Sequence, residues 1–314
     1  MRVVVVGSGV AGLTAARSLA DAGCRVVVVD KGRRPGGRLA TADLADGARA
    51  DHGAQFLTVR SAELATDIGA WQADGTVHEW CRGFGTGDGH PRYAGTGGMA
   101  VLAARLAVGL EVRQSTHVDA VVPTTDGWSV SWPAAHGSPA GSLAADAVVL
   151  TCPVPQSATL LGGAAEVPDV AYEPTLSLVV ALDGPASVPV PGGVQPTDDA
   201  VWSWVGDNLA KGVSPVPSVT LHTTAALAAE RWDADRERLA ADLLASAGPW
   251  LGGSGVVDVR LHRWRFATPA QPRPERWLEV APGAFLAGDA FGGPRVEGAY
   301  LSGRAVADRV VVGR

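Results

Sequence analysis

The stretch Arg2-Val3-Val4-Val5-Val6-Gly7-Ser8-Gly9-Val10-Ala11-Gly12-Leu13-Thr14 decides the fold of this chain. Residues 1–7 form a short apolar run of the kind found in buried parallel strands. Residues 13–23, rich in Ala and Leu, read as a helix, and residues 25–30 return as a second apolar run that ends in Asp30. Gly7, Gly9 and Gly12 stand between the first strand and the helix in Gly-x-Gly-x-x-Gly spacing. The pieces together predict a βαβ unit with a dinucleotide-binding turn.

Each position in that turn has a physical reason. Gly7 permits the tight bend, Gly9 lets the backbone approach a pyrophosphate, and Gly12 allows close packing of helix on strand. The first N–H groups of the helix, at Val10 and Ala11, then face the phosphate charge. Asp30, 18 residues after Gly12, stands where a carboxylate accepts hydrogen bonds from an adenosine ribose, with Lys31 beside it.

Gly36-Gly37-Arg38 follows at once, joining a flexible backbone to a guanidinium able to pair with phosphate. With these residues the sequence resembles the flavoprotein superfamily of amine oxidases, in which such a Gly-Gly-Arg segment lies along the FAD. The resemblance implies FAD, held non-covalently, and not NAD, as the resident cofactor. Asp51-His52-Gly53-Ala54-Gln55-Phe56 narrows it: the segment is similar to one in the renalase branch, where it runs beside the flavin. By the resemblance Gly37, Arg38, Ala54, Gln55 and Phe56 are cofactor residues, and Val118 meets the adenine through its backbone. His52 by itself is more often a structural histidine.

The last 30 residues complete the cofactor site. Residues 284–289 read as a short buried strand ending in Gly288-Asp289, suited to ribityl hydroxyls. Residues 292–303 open the final helix, and its N-terminus, at Val296 and Ala299, offers positive partial charge where a reduced flavin becomes negative. Residues 146–153 add another buried strand that stops at Pro153.

Elsewhere, residues 39–44 and 48–57 read as strands around a turn at Asp46-Gly47, 61–72 as a helix, and 77–89 as a Gly-rich loop. A helical run ends at Leu106, and residues 110–117, 118–122 and 128–132 have the alternation of a meander. Residues 161–281 change character: Pro and Gly are frequent, six tryptophans occur, and residues 233–247 read as a helix closed by Gly248-Pro249. The tryptophans fit either sheet packing or an aromatic pocket. The expected fold is α/β: a Rossmann-like FAD-binding domain of the amine oxidase/glutathione reductase type, with an inserted α+β substrate domain on an antiparallel sheet. The expected limits are 1–60, 92–160 and 282–314 for the first domain, and 61–91 and 161–281 for the second.

Composition bounds the function. The chain has 314 residues, 46% hydrophobic and 18% charged, which suits one large or two interlocked globular domains. A net charge of −6 argues against nucleic acid as a partner. No apolar run approaches a membrane span and no cleavable signal precedes the first strand, so a cytoplasmic protein without membrane partners is expected. Cys24, Cys81 and Cys152 are too scattered for a disulfide framework or zinc site, and no metal cluster is predicted.

The resemblance also has departures. The tyrosine that typically precedes the Glu-Gly-Ala of the last helix by two residues is Arg295 here, so an aromatic cage for a neutral amine is not expected. The two lysines lie in the ribose segment and in a turn of the second domain, not where the superfamily's lysine near flavin N5 is expected. Arg295, Gln55, Trp204, His262 and Arg265 are the expected substrate contacts. The implied activity is oxidation of an off-pathway dihydronicotinamide dinucleotide isomer, with hydride passing to FAD and electrons to O2, giving NAD(P)+ and H2O2. A flavin amine oxidase or desaturase of a specialised metabolite, and a non-catalytic flavin-binding module, are the alternatives.

Overall fold

The computed structural model describes residues 1–84, 89–134 and 139–313. In chain order the strands are β1 (Arg2–Val6), β2 (Arg25–Val29), β3 (Thr41–Asp43), β4 (Arg49–Asp51), β5 (Val77–Cys81), β6 (Arg92–Gly95), β7 (Glu111–Arg113), β8 (Ala120–Thr124), β9 (Gly127–Trp132), β10 (Gly141–Ala145), β11 (Ala147–Leu150), β12 (Tyr172–Leu182), β13 (Gly193–Val194), β14 (Trp202–Asp207), β15 (Ser218–Thr223), β16 (Val256–Pro269), β17 (Leu278–Ala281) and β18 (Ala284–Leu286). The helices are α1 (Val10–Asp21), α2 (Ala62–Ala73), α3 (Ala100–Ala107), α4 (Val154–Leu161), α5 (Ala225–Glu230), α6 (Arg236–Ala247) and α7 (Val296–Val312). The chain divides into two compact units: Met1–Gly37, Ala103–Ala171 and Pro269–Arg314 form unit 1, and Arg38–Leu102 and Tyr172–Thr268 form unit 2.

Unit 1 is a six-stranded sheet in the order β17-β18-β11-β1-β2-β7. Its strands run parallel except β17, which is antiparallel to β18. Four successive valines in β1 are buried because a parallel strand has both faces covered. Ala15, Ala16 and Leu19 of α1 and Val306, Ala307 and Val310 of α7 pack with Val3, Val5 and Val149 in one core. β8, β9 and β10 form a separate antiparallel meander.

Unit 2 is built on a five-stranded sheet, β13-β14-β15-β12-β16. Leu176, Leu178, Val205 and Leu221 turn one face of it toward Leu239 and Leu243 of α6. The other face carries Val179 and Ala181, which pack against Ala48 and Ala50 of the β3–β4 hairpin. Asp235 caps α6 by accepting from Arg238 N, and Ser61 caps α2 by accepting from Leu64 N.

The structure corrects the sequence reading at several elements. Residues 77–81, expected as loop, form β5 paired with β6; the remaining expected loop includes residues 85–88, which lie outside the described residues. β7 does not join the meander but pairs in parallel with β2, because α3 supplies the crossover that a parallel pair requires. The meander's third strand is β10, and α5 lies ahead of the expected helix. Residues 38–60 and 92–102, assigned from sequence to the cofactor domain, cluster with unit 2, while 161–171 and 269–281 cluster with unit 1.

Candidate cofactor and substrate sites

In unit 1 the dinucleotide turn has the geometry its residues dictate. Gly7 takes φ +112, and a Cβ at Gly12 would lie 1.9 Å from Gly7 O, so no side chain fits where α1 meets β1. Beside Gly9 a Cβ would meet nothing within 4 Å, which leaves that backbone open to a phosphate. Asp30 ends β2 with both carboxylate oxygens held, Oδ2 accepting from Ser8 N at 2.5 Å and Oδ1 from Gly32 N at 2.6 Å. A carboxylate has about four lone-pair positions, so this one is fixed in place and still able to accept ribose hydroxyls. Lys31 is exposed beside it. The backbone N–H groups of Ser115 and Thr116 bond the carbonyls of Gly32 and Asp30, bringing the segment that leads to buried Val118 alongside the ribose position.

The far end of the chain meets the same turn. A Cβ on Gly303 would fall 2.3 Å from Ala11 O, so α7 packs directly on α1. Gly288 takes φ +139 and donates its N–H to Ser302 Oγ at 2.8 Å, tying the end of β18 to α7; Asp289 follows, buried. Val296 and Ala299 lie in the first turn of α7, whose N-cap is the exposed Arg295. The open backbone at Gly9, the fixed Asp30 and the α7 N-terminus fit the phosphate, ribose and ring ends of FAD.

In unit 2 the two segments named from sequence are bonded together. Gly53 lies so close to Arg38 that a Cβ would come 2.0 Å from Arg38 O, and Ala54 N donates to the same carbonyl at 2.8 Å. The Arg38 guanidinium donates to the carbonyls of Phe266 and Ala267 at 3.2 and 3.1 Å. Gln55 is buried and its amide is committed within the chain: Nε2 donates to the carbonyls of Asp51 and Gly53, and Oε1 accepts from Lys211 Nζ at 2.9 Å.

That lysine, which the sequence places only in a turn of the second domain, is the buried cation of this network. Lys211 leaves the turn after β14 and forms an ion pair with Asp51 Oδ2 at 3.1 Å, with both side chains fully buried. Asp51 Oδ1 accepts from Thr41 Oγ1 at 2.6 Å and Met99 N at 2.8 Å, and its backbone carbonyl accepts from Thr220 Oγ1 at 2.9 Å. Burial pulls the Lys211 pKa down while Asp51 pushes it back up. The chain has 24 arginines and two lysines, and of the two Lys31 is exposed while Lys211 is the compact ammonium that is buried.

Two aromatic clusters flank this network. Phe56, Trp80, Phe84 and Trp204 form one, with ring centroids 5.1–6.3 Å apart. His52, His262 and Trp264 form the other: His52 stacks on Trp264 at 5.4 Å and lies 4.6 Å from His262, and Trp264 Nε1 donates to His52 O at 2.6 Å. Burial lowers the pKa of His52 to about 4 and, with the charges of His52 and Arg236, that of His262 to about 4. His222 is lowered to about 3, chiefly by burial and then by Lys211 and His52. All three are neutral imidazoles at pH 7. Of the expected substrate contacts, the structure therefore gathers His262, Trp204 and Gln55 around these groups. Arg265 points to the opposite face of β16, where it lies over Trp232 at 5.7 Å.

No metal-binding cluster of His, Cys, Asp or Glu occurs among the described residues, and no helix is long and apolar enough to cross a membrane.

The fold and the cofactor site are those of a two-part flavoprotein, a Rossmann-like dinucleotide-binding domain with an amine oxidase domain. Residues 5–68 match the NAD(P)-binding Rossmann-like domain, and residues 68–311 match the flavin containing amine oxidoreductase family. The chain belongs to that family; it is an oxidoreductase and its cofactor is FAD. The expected fold class is thereby borne out. Among solved structures the whole chain is similar to a putative protoporphyrinogen oxidase from Exiguobacterium sp. 255-15, with TM-score 0.73, 15% identity and 99% of that chain covered. It is also similar to a redesigned putrescine oxidase, with TM-score 0.70, 16% identity and 100% of both chains covered. A hydroxyneurosporene desaturase from Rubrivivax gelatinosus is 49% identical over 59 residues, which span 19% of this chain and 11% of that protein's length.

Proposed function

We propose that the protein is a renalase-like FAD-dependent oxidase that removes a hydride from an off-pathway dihydronicotinamide dinucleotide isomer. The products are NAD(P)+ and, from O2, H2O2. The observation that supports this most is the state of charge among the buried side chains of unit 2. Asp51 is its only buried carboxylate among the described residues, and Lys211 neutralises it. The neighbouring histidines are uncharged. Such surroundings hold no free anion for an ammonium ion, and they suit an uncharged ring.

FAD, when bound, supplies the two-electron acceptor. The chain's residues bind, orient and screen. Gly9 and Asp30 hold the dinucleotide end, and the N-terminus of α7 offers positive partial charge. The Lys211–Gln55–Asp51 bonds fix the backbone at residues 51–55 before any substrate arrives. A dihydropyridine becomes aromatic on losing hydride, so no general base is required, in keeping with histidines that stay neutral. Arg295 at the start of α7 is a cation suited to the phosphates or carbonyl of a dinucleotide substrate.

Anaerobic mixing of the holoenzyme with 2- or 6-dihydroNAD tests the reading. Rapid bleaching of the flavin absorbance, and H2O2 on admission of O2, are expected. Bleaching by amines alone would replace it with the amine oxidase reading, whereas turnover of an unsaturated metabolite would favour the desaturase one.

A further inference from the structure

Three adjacent strands of unit 2 place a row of unsatisfied polar atoms on one face of the sheet. His222 of β15 is the direct cross-strand partner of Trp204 on β14 and of Ser177 on β12. Directly paired residues project to the same face, their Cβ atoms about 5 Å apart. Leu176, Leu178, Val205 and Leu221 belong to the opposite, helix-packed face, so the row shares the face that carries Val179 and Ala181 beneath the β3–β4 hairpin. Ser177 is fully buried and Trp204 is 5% exposed.

Trp204 Nε1, His222 Nε2 and Ser177 Oγ are each buried without a hydrogen-bond partner, as is Nδ1 of nearby His52. His222 is held in place by a hydrogen bond to the backbone of His52. A buried orphan polar atom is costly, at about 1–3 kcal/mol, and native proteins leave few of them. Three in register across three strands are not accounted for by random packing defects. They are explained if a ligand supplies the missing partners.

The chemistry of the row defines that ligand. The indole N–H only donates, the hydroxyl can donate or accept, and a neutral imidazole nitrogen does one or the other according to its tautomer. No carboxylate belongs to the row, and Asp51, next to the His52 that holds His222, is paired with Lys211. Trp204 also stands in the cluster with Phe56, Trp80 and Phe84, which offers planar apolar surface at one end. We infer that Ser177, His222 and Trp204 form a specificity row that binds the uncharged carboxamide edge of a planar substrate ring and discriminates against cationic amines. The inference rests on the proposed function for the identity of the ring, but it assigns the recognition to residues which that proposal does not require.

Ser177→Ala removes the orphan hydroxyl alone, whereas Trp204→Phe removes the indole N–H together with part of the ring. Oxidised holoenzyme is titrated with nicotinamide, NAD+ and benzylamine, following the flavin visible spectrum, and the unliganded variants are unfolded in urea. Nicotinamide and NAD+ are expected to bind wild type, and each substitution is expected to weaken them roughly tenfold. Flavin content should stay unchanged, and the ligand-free stability of Ser177→Ala should be equal or higher because an unsatisfied group has gone. Loss of FAD, or a shifted spectrum in the unliganded variants, would overturn the inference by assigning the row to the cofactor. Unchanged amide affinity in the variants, no amide binding to wild type, or preference for benzylamine would also overturn it. If the dihydronicotinamides fail to bleach the flavin yet nicotinamide binding depends on Ser177 and Trp204, the proposed function falls and the row stands.

Discussion

At the scale of single residues, Lys211 and Asp51 form an ion pair with both side chains fully buried. A fully buried ion pair is stable only as a pair, since removing one partner strands the other charge in a low-dielectric interior. Lys211→Met is expected to lower stability in urea unfolding by about 3–5 kcal/mol, and adding Asp51→Asn to recover part of the loss. Lys211→Arg should not restore wild-type stability, because a fork of five donors replaces one point charge where no space is exposed. The histidines set the pH dependence. His52 and His262 fall to about 4 and His222 to about 3 in the folded protein, against 6.5 for a solvated imidazole. Below pH 6.5 the unfolded chain therefore binds more protons than the folded one, so stability is full above that value and is lost as pH falls toward 4. The urea midpoint should be flat from neutral pH upward and should drop across that acid window, with a shallower drop in His222→Gln.

At the scale of elements, glycines decide which helices approach and which merely tolerate them. Gly303 faces Ala11 O, and Gly303→Ala should force α7 away from α1, lowering both thermal stability and the fraction of FAD retained on gel filtration. Gly69, inside α2, would place its Cβ in open space at an exposed position. Gly69→Ala should therefore stabilise the protein by about 0.5–1 kcal/mol, the helix-propensity difference, without changing flavin content. The same contrast explains which elements were readable. α2 and α6 have side-chain caps and local periodicity, whereas β7 depends on a partner distant in sequence, β2.

At the scale of the whole molecule, FAD should act as a structural ligand. Binding to the folded state alone raises stability by RT ln(1 + [L]/Kd), about 2.7 kcal/mol at one hundred times Kd. The melting temperature of apoprotein should rise with added FAD, and Asp30→Ala should shift that dependence to higher FAD concentration. The family, the cofactor and the Rossmann-like fold were fixed by the sequence, because the βαβ fingerprint, Gly36-Gly37-Arg38 and Gly288-Asp289 act through local backbone geometry. Turn, strand end and helix N-terminus are set by neighbours a few residues away. The proposed substrate side was legible only in part. Gln55, Trp204 and His262 could be named from sequence, but Ser177, His222, Asp51 and Lys211 are brought together only when strands far apart in the chain lie side by side. Burial, orphaned hydrogen-bonding capacity and suppressed charge are properties of that assembly, since each depends on water being excluded by residues brought from elsewhere in the chain.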